Sequence, residues 1–238
     1  MNENDKKEFS RIQELESINL STEANRDSVV QTKKQVAADN KQLADHINAS
    51  FREHSIKSFD IVGAIGAGKT ALIENICEKL PPSQRILVVC GDVTTRVDAD
   101  RIEQHGAETV QISTGRECAL NAYHVLQIIK NKDLDNYDIV FVENVGNLIC
   151  PSEFTLGTDM RITVVSVTEG EWVVEKHPML FKMSEIAIIN KVDLAEVLGT
   201  DLRKMEEDAK KINPDIEVLF TSAKTDKNIN KLISAMGL

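Results

Sequence analysis

GAIGAGKT, Gly63 to Thr70, matches G-x-x-x-x-G-K-[ST] at every fixed position, and it stands between an apolar run, FDIVG, and a helical stretch, TALIENICEKL. That order predicts a strand, a tight glycine loop and a helix N-terminus. Glycines let such a loop turn its amides inward around phosphate oxygens, a lysine reaches the β and γ phosphates, and a following hydroxyl can ligate magnesium. Gly63, Ala64, Ile65, Gly66, Ala67, Gly68, Lys69 and Thr70 are therefore expected to line a nucleoside triphosphate site.

The chain beyond Phe59 repeats the same alternation. The apolar runs RILVVC, ETVQI, DIVFVE, RITVVSV, EIAIIN and IEVLF are separated by helical stretches. Repeated βα units predict an α/β fold, a doubly wound and mostly parallel sheet flanked by helices, with ligands beyond the carboxyl ends of the strands. Aromatic residues are only 4% against 42% hydrophobic overall, so Val, Ile, Leu and Ala must fill the core, as in parallel sheets. Residues 1–55 are polar; they read as a tail and a helix carrying Val36, Leu43 and Ile47, which covers a sheet edge or a partner subunit. Residues 56–238 form the expected nucleotide-binding domain.

The net charge of −10, with no basic run carrying interleaved aromatics, argues against a nucleic-acid partner. The sequence has no apolar segment of membrane-spanning length and no leader pattern at Met1, so no membrane partner is expected. The cytoplasm is the expected compartment, and Cys77, Cys90, Cys118 and Cys150 are expected as reduced thiols.

NKVD, following EIAII, selects the base. The Asp193 carboxylate can accept from both donors of a guanine edge, Asn190 can donate toward O6 or N7, and the Lys191 stem can lie along the ring; adenine lacks that donor pair. A carboxylate left unpaired by the wrong base is the physical ground of rejection. TSAK, after IEVLF, supplies Ser222, Ala223 and Lys224 as a backbone loop near the guanine oxygen. Asp92 ends RILVVCGD and Glu143 ends DIVFVE, so both acids can join Thr70 around magnesium, with Lys69 the third residue expected to act on the phosphates. In ENVG the Gly146 amide is expected to respond to the terminal phosphate. Without a glutamine placed to orient water, slow GTP hydrolysis to GDP is expected.

GAIGAGKT, CGDVTTRVDADRI, STGREC, VENVGNLICP, SVTEGE and NKVD together resemble the HypB family of hydrogenase-maturation GTPases, over a stretch from about Asp60 to Leu238. The resemblance implies SIMIBI-class P-loop architecture and a homodimer assembled around GTP. It also implies delivery of nickel to the large subunit of [NiFe] hydrogenase, directly or through a nickel co-chaperone. It implies a metal site as well: a Cys-His pair in TGxECH with the cysteine of NLxCP. Cys118 and Cys150 match the cysteines, whereas Ala119 occupies the histidine position and Tyr123 that of a second histidine. Two chains could still pool four thiolates around Ni2+ or Zn2+, the common ligand number. If Cys118 opens a helix, His124 lies about 240° round it and is a poor substitute. Two alternatives stand beside this reading. One is a GTP-switched protein-binding regulator that has lost metal binding. The other is a SIMIBI GTPase serving another metalloenzyme; Ser152, where a urease-type Cys-Pro-His motif has histidine, weighs against urease.

Overall fold

The computed structural model describes residues 26–92, 97–113 and 119–238, with side chains from residue 35 onward except those of residues 92, 97, 98 and 113. Seven parallel strands form one sheet: β1 Lys57–Gly63, β2 Ile86–Asp92, β3 Glu108–Ser113, β4 Ile139–Glu143, β5 Met160–Ser166, β6 Ile186–Asn190 and β7 Glu217–Phe220. Their spatial order is β3-β2-β4-β1-β5-β6-β7. The chain winds to one side of β1 and then, after β4, to the other, so the crevice where the winding reverses opens at the carboxyl ends of β4, β1 and β5. The glycine loop lies at that crevice.

Nine helices flank the strands of the described residues: α1 Arg26–Glu53, α2 Lys69–Lys79, α3 Val97–Glu103, α4 Ala122–Ile129, α5 Val173–Lys176, α6 Pro178–Lys182, α7 Ala195–Leu198, α8 Leu202–Ile212 and α9 Ile229–Ala235. Alternate residues of each strand separate the two faces. Phe59, Ile61, Val88, Phe141 and Ile188 face α2, α3 and α9, with the Phe59 and Phe141 rings stacked at 5.3 Å. On the opposite face Val89, Val140 and Val142 meet α1 and α4, while Val62, Val165 and Ile189 meet α5, α6 and α8. No helix of the described residues is long and apolar enough to cross a membrane.

The N-terminal helix departs from expectation. It covers a face of the sheet rather than its edge, burying Ala44, Ile47 and Phe51 among α4 and the central strands. It also carries a polar clamp: the Asn40 side chain, 2% exposed, donates to the Thr155 carbonyl and accepts from the Ala122 amide, each at 2.9 Å. The sparse apolar spacing could not disclose this, because half of the packing is made by a buried amide. The helix after TGREC also begins later than expected. Asn121 is its N-cap, accepting from the His124 amide at 3.2 Å, while the His124 ring accepts from the Asn121 amide in return. Asparagine is among the best caps because its carbonyl satisfies a helix-end N–H. Helix α4 therefore opens at Ala122, not at Cys118.

Phe51 is fully buried where α1 meets the sheet. Phe51→Ala should cost about 3–5 kcal/mol by the lost contacts and the cavity. Urea unfolding followed by circular dichroism should show one cooperative transition at lower urea; early loss of helix signal alone would mean that α1 is a separable element.

Candidate functional site

The glycine loop leaves β1 at Gly63 and enters α2 at Lys69, with Gly68 as the helix N-cap at φ 100°. A Cβ on Gly68 would come within 2.4 Å of the Asn190 amide nitrogen, and the positive φ disfavours any side chain there. The Lys69 side chain is buried, and its ammonium donates to the carbonyls of Gly63 and Ala64, both at 3.2 Å. It is thereby stretched across the loop. The Thr70 hydroxyl donates to Glu143 Oε1 at 2.7 Å, and Glu143 is 6% exposed. These groups border a cleft of ≈ 330 Å³ lined by Gly66, Gly68, Lys69, Thr70, Glu143 and Gly146 among others. Asp92 ends β2 beside β4, as expected, but its side chain lies outside the described residues.

Glycine at position 146 is a packing requirement. A Cβ there would fall 2.3 Å from the Ile65 side chain and 3.0 Å from its backbone, so the loop after β4 lies directly on the glycine loop. Ile65 itself is 85% exposed. Asn147 continues the contact through a backbone bridge to Gly63. Its side-chain oxygen accepts from the amides of Ile149 and Cys150 at 2.7 and 3.2 Å, while its amide nitrogen lies 3.4 Å from Cys150 Sγ. Asn147 thus holds Cys150 in an Asx turn three residues from a glycine-loop contact. Sequence reasoning missed it; the signal was an asparagine just beyond a strand end.

At the base end, Asn190 Nδ2 donates to the Ala67 carbonyl at 2.9 Å, and its Oδ1 accepts from the Thr221 hydroxyl at 3.0 Å and the Ala223 amide at 3.2 Å. Its expected donation to the base has only the second amide hydrogen available, because the first ties three loops together. Lys191, at φ 60°, donates across the mouth of the loop to the Gly66 carbonyl at 2.6 Å. Asp193 is exposed on the next turn. Ser222 is buried and bridges Lys227, Ala223 accepts from the Asn75 amide at 2.7 Å, and Lys224 is exposed. Glu169, outside every sequence motif assigned a role, accepts from the Ser166 amide at 2.8 Å and closes a capped turn after β5. Burial pushes its carboxyl up, opposed by the nearby charges of His177, Lys191 and Lys69.

The cysteines divide. Cys77 and Cys90 are buried free thiols, and burial pushes the Cys77 thiol up to about 12. Cys150 is disulfide-bonded, against the expectation that every thiol is reduced. The expectation rested on compartment, which says nothing of which sulfurs become neighbours. Cys118 lies outside the described residues. Ala119 is buried, and no group of three or more His, Cys, Asp or Glu side chains able to hold a metal occurs among the described residues. His54 is engaged with Asp135 at 2.7 Å and His177 with the Val173 carbonyl at 2.9 Å.

A glycine loop between β1 and α2, a threonine–carboxylate pair at its mouth and an NKVD loop locked to it define a P-loop GTPase of the SIMIBI class. The nucleotide-binding domain of the CobW/HypB/UreG family matches residues 58–220. A "Probable hydrogenase maturation factor HypB" of Methanocaldococcus jannaschii is 45% identical over 205 residues, covering 86% of this chain and 93% of that protein. Among solved structures, the hydrogenase maturation factor HypB of Archaeoglobus fulgidus shares 43% identity at a TM-score of 0.76, covering 83% of this chain and 96% of the other. HypB of Helicobacter pylori in complex with nickel shares 31% identity at the same TM-score, covering 84% and 95%. The chain belongs to the HypB family of GTP-hydrolysing nickel chaperones.

Two outcomes are expected. Gly146→Ala should force the loop after β4 off Ile65 and weaken binding of a non-hydrolysable GTP analogue by about tenfold, the cost of about 1.4 kcal/mol of overpacking; isothermal titration calorimetry reads it, with GDP affinity as the control. In folded protein at pH 8, Cys77 and Cys90 should resist iodoacetamide while alkylating readily in urea, because the thiolate is the nucleophile and burial suppresses it; peptide mass spectrometry resolves the sites.

Proposed function

We propose that the chain is a GTP-hydrolysing nickel metallochaperone for [NiFe] hydrogenase maturation, in which GTP-dependent homodimerisation assembles a shared thiolate site from Cys118 and Cys150 of both copies. The observation that carries this reading is the hold of Asn147 on Cys150 while its backbone bridges Gly63. Once its disulfide is reduced, a thiol so held responds when the glycine loop closes on phosphate. The exposed Ile65 and Ile149, 85% and 67% accessible, flank the same loops and suit burial against a second copy. The relative solved in complex with nickel supports nickel as the cargo.

In this reading GTP enters with its phosphates on the amides of Gly63–Thr70, and Lys69 exchanges two carbonyls for phosphate oxygens. Asp193 accepts from the guanine edge, with Lys191 along the ring and the Ala223 amide near the base oxygen. Thr70 and Glu143, which converge at the cleft mouth, fit a magnesium ion together with Asp92; bound there, it would neutralise charge on the β and γ phosphates. Water attacks the γ phosphorus, the bond to the β-phosphate oxygen breaks, and GDP and phosphate leave. Loss of the γ phosphate releases Gly146 and, through Asn147, Cys150. The nickel co-chaperone or the hydrogenase large subunit is the receiving partner.

Ala119 motivates one competing reading, a GTP-switched partner protein without metal. A nickel titration of reduced protein with a non-hydrolysable GTP analogue decides between them, following thiolate charge-transfer absorption and molecular mass together. Saturation near one nickel per dimer, only with the analogue, is expected; dimerisation with no absorption band would establish the competing reading. Lys69→Ala should abolish GTP-dependent association, read by light scattering. Asp193→Asn should lower guanine affinity by more than about tenfold, since a hydrogen bond to a charged group contributes about 1.5–3 kcal/mol; equal preference for guanine over xanthine before and after would refute the base assignment.

A further inference from the structure

The seam between the two helix clusters on one sheet face holds a buried ion pair that the nucleotide site does not use. Asp60 on β1 is fully buried, Arg161 on β5 is 7% exposed, and the two are register partners on adjacent strands. Arg161 Nε donates to Asp60 Oδ2 at 2.8 Å. The other Asp60 oxygen accepts from Asn144 Nδ2 at 3.2 Å. Burial pushes the Asp60 carboxyl up, and Arg161 and Asn144 oppose the rise.

Each end of this network touches a segment of interest. Asn144 directly follows Glu143 in the loop that packs on Ile65, and its Oδ1 accepts from the amides of Val145 at 3.0 Å and Leu120 at 2.9 Å. Leu120 is two residues beyond Cys118. Arg161 donates a second bond, through Nη2, to the carbonyl of Phe154, the residue that ends the short turn Cys150–Glu153. From α1, Asn40 holds Thr155, next to Phe154, and Ala122, two residues beyond Leu120. The remaining Arg161 nitrogen, Nη1, is buried without a hydrogen-bond partner. A buried cation with one unpaired nitrogen is a costly feature to keep in a core, where an apolar pair of similar volume is often as stable. A bond array that links β1 and β5 to the loop after β4 has more geometric than energetic value here.

We propose that Asn144, Asp60 and Arg161 are positioning residues that carry the conformation of the segment Glu143–Gly146 to Leu120 and to the turn that holds Cys150. Movement of Asn144 on phosphate binding pulls on the Leu120 amide directly and on the Phe154 carbonyl through the ion pair. Cys150 is thus set by two routes, the Asn147 turn and this inner network. The inference rests on the reading that the two cysteines act as a pair under nucleotide control. Its test reads thiol chemistry, so that it stands apart from whether nickel binds.

The experiment compares the rate of Cys150 alkylation in reduced, full-length protein loaded with GDP and with a non-hydrolysable GTP analogue, resolved by peptide mass spectrometry. The parent should show a nucleotide-dependent rate, by about fivefold or more, within the range of ordinary site coupling. The double variant Asp60→Asn/Arg161→Met removes both charges, which leaves no buried ion unpaired. Its rate ratio should fall markedly toward one while its melting temperature stays at the parent value. Arg161→Lys serves if that variant does not fold, since it retains the charge beside Asp60 and loses the forked reach to Phe154; its ratio should fall too. A parent ratio preserved in the folded variant, or no nucleotide dependence in the parent, overturns the proposal. A parallel nickel titration separates the two readings: nucleotide-dependent labelling in a parent that binds no nickel would end the metal reading and support the positioning network.

Discussion

A single buried amide, Asn190, holds the nucleotide end of the molecule together. Its nitrogen takes the Ala67 carbonyl of the glycine loop, and its oxygen takes Thr221 and Ala223 of the loop after β7. The side chain of Gly68 must be absent for that approach, because a Cβ would lie 2.4 Å from the same nitrogen. Three loops from three strands thus share one polar contact in a dry environment, where each bond is stronger and each unmade bond more costly. The distance between the glycine loop and the NKVD loop follows from this contact.

The other end of the cleft is organised by contact rather than by a shared atom. Gly146 lies against Ile65, Asn147 bridges Gly63, and Glu143 accepts from Thr70. Glu143 ends β4, and Gly146 and Asn147 lie in the loop that follows, which leads within a few residues to the turn bearing Cys150. In the proposed mechanism the nucleotide state reaches Cys150 through this loop. Here the path is short, and most of its bonds are to backbone groups, which have little freedom to absorb a displacement.

Much of this was legible in advance. The alternation of apolar runs and helical stretches carried the seven strands, since parallel strands buried on both faces leave unbroken hydrophobic stretches. GAIGAGKT and NKVD were found where strand ends place them, and Thr70 and Glu143 converge as their positions suggested. The errors have a common cause. Helix propensity alone does not see the cap of α4, where Asn121 and His124, exchanging side-chain bonds with each other's amides, start the helix at Ala122. Three apolar residues place the N-terminal helix no better than on a sheet edge or a partner subunit, because they do not reveal Asn40, whose partners Thr155 and Ala122 are 115 and 82 residues away. The side chain of Asp92 and the whole of Cys118 lie outside the described residues, so their roles belong to the proposal alone.

By itself the sequence determined the fold class, the phosphate loop, the guanine motif and the family, because each depends on local pattern: hydrophobic period, glycine spacing and residue type at a strand end. Tertiary structure alone decided that Asn190 is a tie between loops, that Asn147 governs Cys150, that α1 is built into the core, and that Asp60, Arg161 and Asn144 form one buried network. Those are contacts between residues far apart in the chain, whose energies depend on burial and on the partner's position. Neither is written in any short stretch of residues.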